Sequence, residues 1–476
     1  MFAEARVGRF NGDDIPDLVV RFEASLDVVM FANNGDGRYT TFSVPSDQPV
    51  RAIESGDFDG DRILDIAFLQ SARSFSDPAG SGEVELVIAY GKANGGPETP
   101  KVIGRFSSAR ELHTLRSADS AVDNLAVVES SDIAKGLTTT SVTVLFGSGD
   151  RQPIAPLFLS DQNALSPYTP DASVANFRNS FRAWDPVLLA AGALRTAGET
   201  DLIAIAAGGQ VNFNHGQPMP DYPFPVGFWI APSDPSAIGR LGTFSQLFDP
   251  SSSFAKIDGT DAGASIGGYP VIAVIGDIDI PADGRDEIVS FVKQIDGGTS
   301  LNGFRASDRA SLPTSISLPD IQIKGGDPIA LGDVDGDGIK DVVVLTARND
   351  VRKVLVYLHD NSTSAFATTP LELTLPASTG ATAQVPVGFA FLPTGVRANG
   401  KAAVSLAVVG TSQLSLALLR PDRSGFDVRD ETALLGNAPV MISSIAAGDF
   451  NGDGVTDLAV ADSGAIRILT QEPTIK

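Results

Sequence analysis

The residues best suited to chemistry in this sequence are oxygen-bearing side chains in short glycine-rich loops. The clearest loop lies within Gly448–Val460, GDFNGDGVTDLAV, where Val455 at the seventh position can add a backbone carbonyl. Its side-chain oxygens stand at positions one, three, five and nine, on Asp449, Asn451, Asp453 and Asp457. Calcium takes six to eight oxygen ligands at roughly 2.3–2.6 Å, and alternate residues of a tight loop can supply them. The spacing therefore predicts a calcium-binding loop.

The same loop occurs in two further complete copies, each followed by an apolar run. Their candidate ligands are Asp57, Asp59, Asp61, Ile63 and Asp65 in one, and Asp333, Asp335, Asp337, Ile339 and Asp341 in the other. Another loop carries a two-residue insertion and ends in a glutamate, with the candidate ligands Asp277, Asp279, Asp283 and Glu287. A single Asp-Gly cluster is as readily an ordinary turn, but the repetition favours metal. We expect about three to four calcium ions with a structural role.

An EF-hand is the competing explanation for such loops. It requires a glutamate at loop position twelve and a helix on either side. Position twelve is Val460, Phe68 or Val344 in the three complete copies, and the flanking sequences have the alternation of strands. The EF-hand is therefore excluded.

Aligned on the loop and the strand after it, the chain divides into eight units. Their approximate bounds are 2–49, 50–110, 111–160, 185–250, 268–322, 327–378, 384–435 and 440–472, with insertions at 161–185 and 209–225. In the first unit Arg9 replaces the first carboxylate, and the fourth keeps Asp201 and little else of the ligand set. Units of ~40–50 residues with four short strands are typical of propeller blades. We predict an all-β fold, a single β-propeller of four-stranded antiparallel blades, with eight blades favoured and seven as the alternative.

These loops, the strands after them and the hairpins VVMFANNGDGRYT and VTVLFGSGD resemble the FG-GAP and VCBS repeat families, whose unit also builds the propeller of integrin alpha chains. The resemblance covers nearly the whole chain and is strongest in the first, second, sixth and eighth units. It implies a propeller with calcium in the loops between the first and second strands of some blades, held by the carboxylates named above. It also implies an extracellular adhesion or recognition module.

The composition limits the classes of partner. Lys and Arg number 35 against 58 Asp and Glu, a formal net charge of −23, which argues against nucleic acid and anionic membranes as partners. No apolar stretch reaches the ~20 residues of a membrane span, so we expect no membrane insertion. The chain has no cysteine, which in a secreted protein favours a bacterial source. No signal peptide is visible in MFAEARVGRF. We expect a secreted or cell-surface location and leave the oligomeric state open.

The two insertions around the fourth unit are the candidate recognition surface. They and the strand that follows contain Trp184, His215, Tyr222 and Trp229. Long insertions in a compact fold are often functional, and exposed Tyr or Trp suits stacking on sugars or docking of a protein. The alternative is that these aromatic side chains only pack the insertions onto the blade.

Three functions follow from these patterns. The first is a calcium-stabilised recognition or adhesion module that binds a carbohydrate or protein ligand through loops of the propeller face. The second is a structural repeat domain of a larger surface protein. The third is a calcium-dependent polysaccharide lyase or other glycan-active enzyme, which would acidify a uronate with the ion. The sequence contains 3 His and no motif for a nucleophile, a phosphate or zinc, so we expect no enzyme and assign no catalytic residue.

Overall fold

Each of the three complete acidic loops leads into an apolar run, and each of these runs forms a β-strand that is buried on both faces. The strand Asp65–Ser71 illustrates this in the computed structural model, where every residue of it is buried. Ala67 and Leu69 pack against residues of the following sheet, including Leu125, whereas Phe68 on the opposite face packs against the preceding sheet. Because side chains alternate across a strand, one short run belongs to two cores. The sheets therefore stack face to face in chain order.

The structure describes residues 2–471 except for a set of gaps. The gaps are 23–25, 36–37, 47, 72–83, 94, 107–108, 116–120, 135–136, 150–153, 159–185, 198–200, 207–226, 232–244, 247–267, 279–281, 295–298, 306–309, 312–315, 319–320, 325–326, 349–350, 361–364, 374, 376–384, 397–401, 437–440 and 463–464.

The first half of the chain forms four sheets of four antiparallel strands each. The first sheet comprises β1 (Phe2–Gly8), β2 (Asp17–Phe22), β3 (Asp27–Asn33) and β4 (Tyr39–Pro45). The second comprises β5 (Val50–Gly56), β6 (Asp65–Ser71), β7 (Val84–Ala89) and β8 (Lys101–Phe106). The third comprises β9 (Ala109–Leu115), β10 (Asn124–Ala134), β11 (Leu137–Phe146) and β12 (Ile154–Phe158). The fourth comprises β13 (Pro186–Gly192), β14 (Asp201–Ala206), β15 (Gly227–Ala231) and β16 (Ser245–Gln246).

The second half continues the pattern with four more sheets and one short hairpin. The fifth sheet comprises β17 (Gly268–Gly276), β18 (Glu287–Gln294), β19 (Thr299–Arg305), β20 (Ala310–Ser311) and β21 (Ile316–Ser317). The sixth comprises β22 (Ile321–Gln322), β23 (Ile329–Gly332), β24 (Asp341–Arg348), β25 (Val351–Tyr357) and, beyond the hairpin of β26 (His359–Asp360) and β27 (Ala365–Phe366), β28 (Leu371–Leu373). The seventh comprises β29 (Pro386–Val396), β30 (Ala402–Gly410), β31 (Leu414–Leu419) and β32 (Phe426–Asp430). The last comprises β33 (Ser444–Gly448), β34 (Asp457–Ala461) and β35 (Ile466–Leu469).

Successive sheets meet along their first strands. β1 contacts β5, β5 contacts β9, and the series continues through β13, β17 and β23, with β29 contacting β33 further along. The apolar clusters likewise join neighbouring sheets: one contains Phe291 of the fifth with Tyr357 of the sixth, and another contains Val356 of the sixth with Leu406 of the seventh. Sheets arranged radially around their first strands form a β-propeller. Eight sheets in the described residues have three or more strands, and the number of blades in the whole ring stays a prediction.

The last repeat lies against the first. The Asn33 side-chain amide donates a hydrogen bond to the Phe450 carbonyl. A Cβ atom added to Gly452 would lie 3.0 Å from a side-chain carbon of Ile15. These contacts join the two ends of the chain's repeat series. Among the described residues, no helix has the length and apolarity that crossing a membrane would require.

Candidate metal centre

The acidic loops are the hairpin turns between the first and second strands of the sheets. Their position is set by strand register, in which the glycine that starts the motif pairs with the carboxylate that ends it. The pairs are Gly8 with Asp17, Gly56 with Asp65, Gly192 with Asp201, Gly276 with Glu287, Gly332 with Asp341, and Gly448 with Asp457. The motif thus closes a β-hairpin, and every such loop lies at the corresponding end of its sheet.

The three complete loops have a left-handed residue at position six. Gly338 and Gly454 occupy it with φ of +94° and +81°. Arg62 occupies the same position in the second loop and keeps φ at +73°, although a side chain there is unfavourable by about 1 kcal/mol or more. The loop therefore holds its conformation even where glycine is missing.

The carboxylate at position nine is buried and connects three segments of its sheet. Asp65 is fully buried; one of its oxygens accepts the Phe58 N–H of the loop at 2.8 Å and the other accepts the Gly91 N–H after β7 at 2.8 Å. Asp341 repeats this with the N–H groups of Val334 and His359, both at 2.8 Å. The last residue of the motif is therefore a brace for buried backbone donors, which are costly to leave unpaired.

Burial also changes the acidity of these carboxyl groups. Loss of solvent raises the pKa of Asp65 to about 8, with a further increase from the neighbouring Asp59 carboxylate, although the backbone N–H bonds act in the opposite direction. The pKa of Asp341 rises to about 8 for the same leading reason. Burial raises the pKa of Asp17 to about 6 and moves that of Asp457 upward. The ends of these loops therefore hold protons more tightly than ordinary carboxylates.

The carboxylate at position one organises the loop around itself. Asp57 accepts the Gly60 N–H at 2.7 Å with one oxygen and the Arg62 N–H at 2.8 Å with the other. Asp59 accepts from Asp61 N–H at 3.1 Å, and Asp61 accepts from the N–H two residues further on. Equivalent bonds form in the sixth and eighth loops. The oxygens consequently converge on the inside of the turn.

In two of the loops, three carboxylates lie close enough together to hold one cation. Oxygens of Asp57, Asp59 and Asp61 lie within 4.8 Å of one another, and the same holds for Asp333, Asp335 and Asp341. An all-oxygen donor set of this kind suits a hard divalent ion such as calcium. In the part of the chain that the structure describes these are the two groups of this kind; the eighth loop carries Asn451 in place of one carboxylate.

The fifth loop follows the same plan with its inserted residues. Asp277 accepts the Gly284 N–H at 2.9 Å, and the buried Glu287 accepts the Ile278 N–H at 2.9 Å, as the position-nine aspartates do. The exposed Asp283 forms an ion pair with Arg285. Asp279 lies outside the described residues.

An arginine takes the place of the metal ligands in the fourth loop. Arg195 stands at position three and forms an ion pair at 2.8 Å with Asp201, whose side chain is fully buried. The arginine Nε atom is 3.1 Å from the same oxygen. In the first loop Arg9 instead pairs with the exposed Asp14 at 3.3 Å. The fourth loop therefore satisfies its buried carboxylate with a cation from the chain itself, whereas the ion pair of the first loop is exposed.

Two acidic residues that the loop pattern did not single out as ligands join neighbouring sheets. Asp123, just before β10, donates its N–H to the Asp57 carbonyl at 2.7 Å and accepts the Asp57 N–H at 3.0 Å. Asp286 makes the same pair of bonds with Ala193, both at 2.8 Å. The only sequence signal for these two residues is an aspartate directly before a strand. The corresponding residue before β6 is Leu64, which bonds Arg9 through its backbone alone.

Most of the candidate recognition residues lie outside the described part of the chain. Trp184, His215 and Tyr222 belong to its gaps. Trp229 lies in β15, where its backbone pairs with Ala204 and Gln246. The aromatic surface predicted from the sequence stays a prediction.

Family models of known repeats match the two ends of this series of loops. An FG-GAP-like repeat matches residues 9–68, and an FG-GAP repeat matches residues 441–469. The chain contains FG-GAP repeats at these two places. The first match contains the Asp57 loop and the second contains the Asp449 loop, so both include a predicted calcium site.

Solved structures similar to this FG-GAP repeat protein are propellers of low sequence identity. The Dos1 propeller is 9% identical with a TM-score of 0.50, covering 98% of this chain and 92% of that one. The BP39L lectin from Burkholderia pseudomallei is 14% identical with a TM-score of 0.44, covering 88% and 95%. The exotype rhamnogalacturonan lyase YesX is 13% identical with a TM-score of 0.41, covering 90% and 72%. At these identities the likeness concerns the fold alone. No curated protein sequence matches the chain.

Proposed function

We propose that this FG-GAP repeat protein is a calcium-stabilised recognition module that works outside the cell or on its surface. The observation that carries the proposal is the convergence of Asp57, Asp59 and Asp61, with oxygens within 4.8 Å of one another, and its repetition in the sixth loop. The ligand would be a carbohydrate or a protein held by loops of the propeller face.

Calcium is the ion that this donor set fits best. In the second loop the holding groups would be the three clustered carboxylates with Asp65 and the Ile63 carbonyl, all of them oxygen donors. Magnesium prefers near-ideal octahedral geometry and retains several waters, whereas calcium accepts six to eight ligands of irregular geometry. Without an ion, the carboxylates repel one another, and burial together with neighbouring carboxylates raises the pKa of Asp57 although backbone N–H groups oppose this. A divalent ion would supply the positive charge that the loop lacks.

The effect on function would be to fix the loops and the sheets they join. Asp57 also links two sheets, because its backbone N–H donates a hydrogen bond to Asp123 of the next sheet. An ion that binds only the folded chain stabilises it by mass action. Extracellular calcium modules commonly bind at about 10⁻⁴–10⁻³ M, so the recognition surface would be rigid where calcium is plentiful.

The metal part of the proposal is tested with one carboxylate removed from each loop. Asp59→Asn and Asp335→Asn each eliminate a clustered charge, and Asp13→Asn in the first loop is the matched control because Arg9 already replaces its partner at position one. We expect calcium to raise the melting temperature of the wild type and of the control, with about one ion fewer bound by each loop variant. Identical melting curves in calcium and in chelator, with no bound metal, would reject calcium stabilisation.

The recognition part is tested by retention on immobilised polysaccharides and matrix proteins, in calcium and in chelator. Trp184→Ala, His215→Ala and Tyr222→Ala should fold as the wild type and lose retention, whereas His113→Ala, a histidine outside the insertions, should keep it. Retention by all variants would reject the insertions as the surface. Absence of any retention would favour a structural repeat domain, and release of sugar products would identify an enzyme.

A further inference from the structure

An arginine from the seventh sheet reaches into the acidic loop of the sixth. The Nη2 atom of Arg423 lies 2.6 Å from an Oδ2 oxygen of Asp335 and 3.4 Å from an Oδ2 oxygen of Asp337. The Asp335 side chain is 1% exposed, whereas that of Arg423 is 48% exposed. A guanidinium that enters from solvent therefore neutralises one of the most buried carboxylates of the loop.

The backbone conformation of the turn that contains Arg423 directs this residue toward the neighbouring loop. Arg423 has φ of +58°, a left-handed conformation that side chains rarely adopt. Its N–H bonds the Arg420 carbonyl at 2.9 Å, and the Arg420 N–H bonds the Gly425 carbonyl at 2.9 Å. Asp422 accepts the Ser424 N–H at 3.0 Å. The turn between β31 and β32 thus maintains an unfavourable backbone angle at the residue that contacts the neighbouring loop.

We propose that Arg423 is an intramolecular competitor for calcium at the sixth loop, which lowers the calcium affinity of that loop and links its occupancy to the β31–β32 turn. The inference rests on calcium binding as proposed above. Two of the oxygens that would hold the ion, on Asp335 and Asp337, are those that the guanidinium contacts. The fourth loop provides the precedent within this chain, because Arg195 serves there as the cation of the buried Asp201.

The competition follows from charge. A divalent ion among these carboxylates repels a guanidinium that occupies the same oxygens, so the two cannot both sit there at low cost. With partial screening by solvent, a single positive charge about 5 Å from a divalent ion changes affinity roughly tenfold. Binding at the sixth loop must therefore displace Arg423 and break its ion pair with Asp335.

The test compares calcium affinity and thermal stability in charge variants of the full chain. Arg423→Gln removes the charge and retains most of the length, and Arg423→Lys keeps the charge without the planar fork. The matched control is Arg420→Gln, since Arg420 lies in the same turn and pairs with Asp427 at 2.8 Å. Calcium binding is measured by titration calorimetry on chelator-stripped protein, and melting temperatures are recorded in chelator and in saturating calcium.

We expect Arg423→Gln to melt below the wild type in chelator, to bind one calcium roughly tenfold more tightly, and to lose its thermal deficit in saturating calcium. Arg423→Lys should fall between the two, and Arg420→Gln should keep the wild-type affinity. Adding Asp335→Asn to Arg423→Gln should abolish the gain, which assigns it to the sixth loop.

Two results would overturn the inference. An Arg423→Gln protein that melts lower by the same amount with and without calcium, at unchanged affinity, would make Arg423 a structural contact only. A fall in the calcium affinity of Arg423→Gln would mean that Arg423 promotes calcium binding instead of competing with it. Wild-type protein that binds no calcium would instead reject the proposed function together with this inference, so the two failures are distinguishable.

Discussion

Raising the pH should destabilise the metal-free protein between about pH 4 and pH 8. Burial raises the pKa of Asp65 and of Asp341 to about 8, against an ordinary value of 3.8. The folded state therefore binds these protons more tightly than the unfolded state does, and the stability that they contribute is fully present below the unfolded pKa and lost as the pH rises through the folded one. The free energy of unfolding should fall across this window.

The size of the effect follows from the two pKa values. Between them, each group lowers the free energy of unfolding by about 1.4 kcal/mol per pH unit. From pH 5 to pH 7 the two carboxyl groups together should lower it by about 5 kcal/mol, which is comparable with the whole stability of many domains, about 5–15 kcal/mol. The contribution of Asp17 should end near pH 6, because its pKa in the folded state is about 6.

The assay is urea unfolding in chelator at pH 5, 6 and 7, followed by circular dichroism. Asp65→Asn places a permanently neutral group of the same shape at the site, so its dependence on pH should be shallower than that of the wild type by about 1.4 kcal/mol per unit. Asp14→Asn is the control, because its side chain is 98% exposed and solvated. A free energy of unfolding that stays constant or increases from pH 5 to pH 7, or equal slopes for Asp65→Asn and the wild type, would refute the reasoning.

Three further substitutions test single contacts by urea unfolding. Arg195→Gln removes the partner of the fully buried Asp201 and should cost about 3–5 kcal/mol; a loss below 1 kcal/mol would mean that the pair is dispensable. Asn33→Ala removes the amide that bonds the Phe450 carbonyl and should cost about 1–3 kcal/mol, with an unchanged midpoint as the contrary outcome. Tyr357→Phe should be neutral or stabilising, since within the described residues the buried Tyr357 hydroxyl has no hydrogen-bond partner; destabilisation by more than 1 kcal/mol would contradict this.

Local features of the chain were readable from the sequence because they depend on residues close together. Glycine at position six of the sixth and eighth loops is a residue type that readily adopts a left-handed backbone, and both glycines have positive φ. The hairpin at Asn34-Gly35 was expected from its turn residues, and β3 and β4 flank it. The all-β propeller and its repeat family, predicted from the repetition of the loop and its strand, are confirmed.

Other features depend on which sheets become neighbours. The carboxylate at position nine was interpreted as a metal ligand, but the sequence could not indicate that Asp65 also accepts two backbone N–H bonds, since both roles require the same residue type. Asp286 bonds a residue 93 positions away in the preceding sheet, and Arg423 reaches Asp337 across 86. The only local signal for the first contact is an aspartate directly before a strand, and no local pattern marks the second. The calcium ligands and the aromatic recognition surface stay predictions.

The hydrogen bond from Asn33 to Phe450 joins residues that are 417 positions apart. Because loop-closure entropy opposes so distant a contact, we expect it to form late in folding, after the hairpins and the packing of successive sheets. Between the second and third sheets the corresponding carbonyl, that of Phe58, accepts a backbone N–H from Ser148 at 3.0 Å. A side-chain donor therefore joins the first repeat to the last, whereas a backbone donor joins the third sheet to the second. Until that join forms, the chain is an open arc with two apolar sheet faces in water, and the lifetime of this arc sets how long the folding chain is exposed to aggregation.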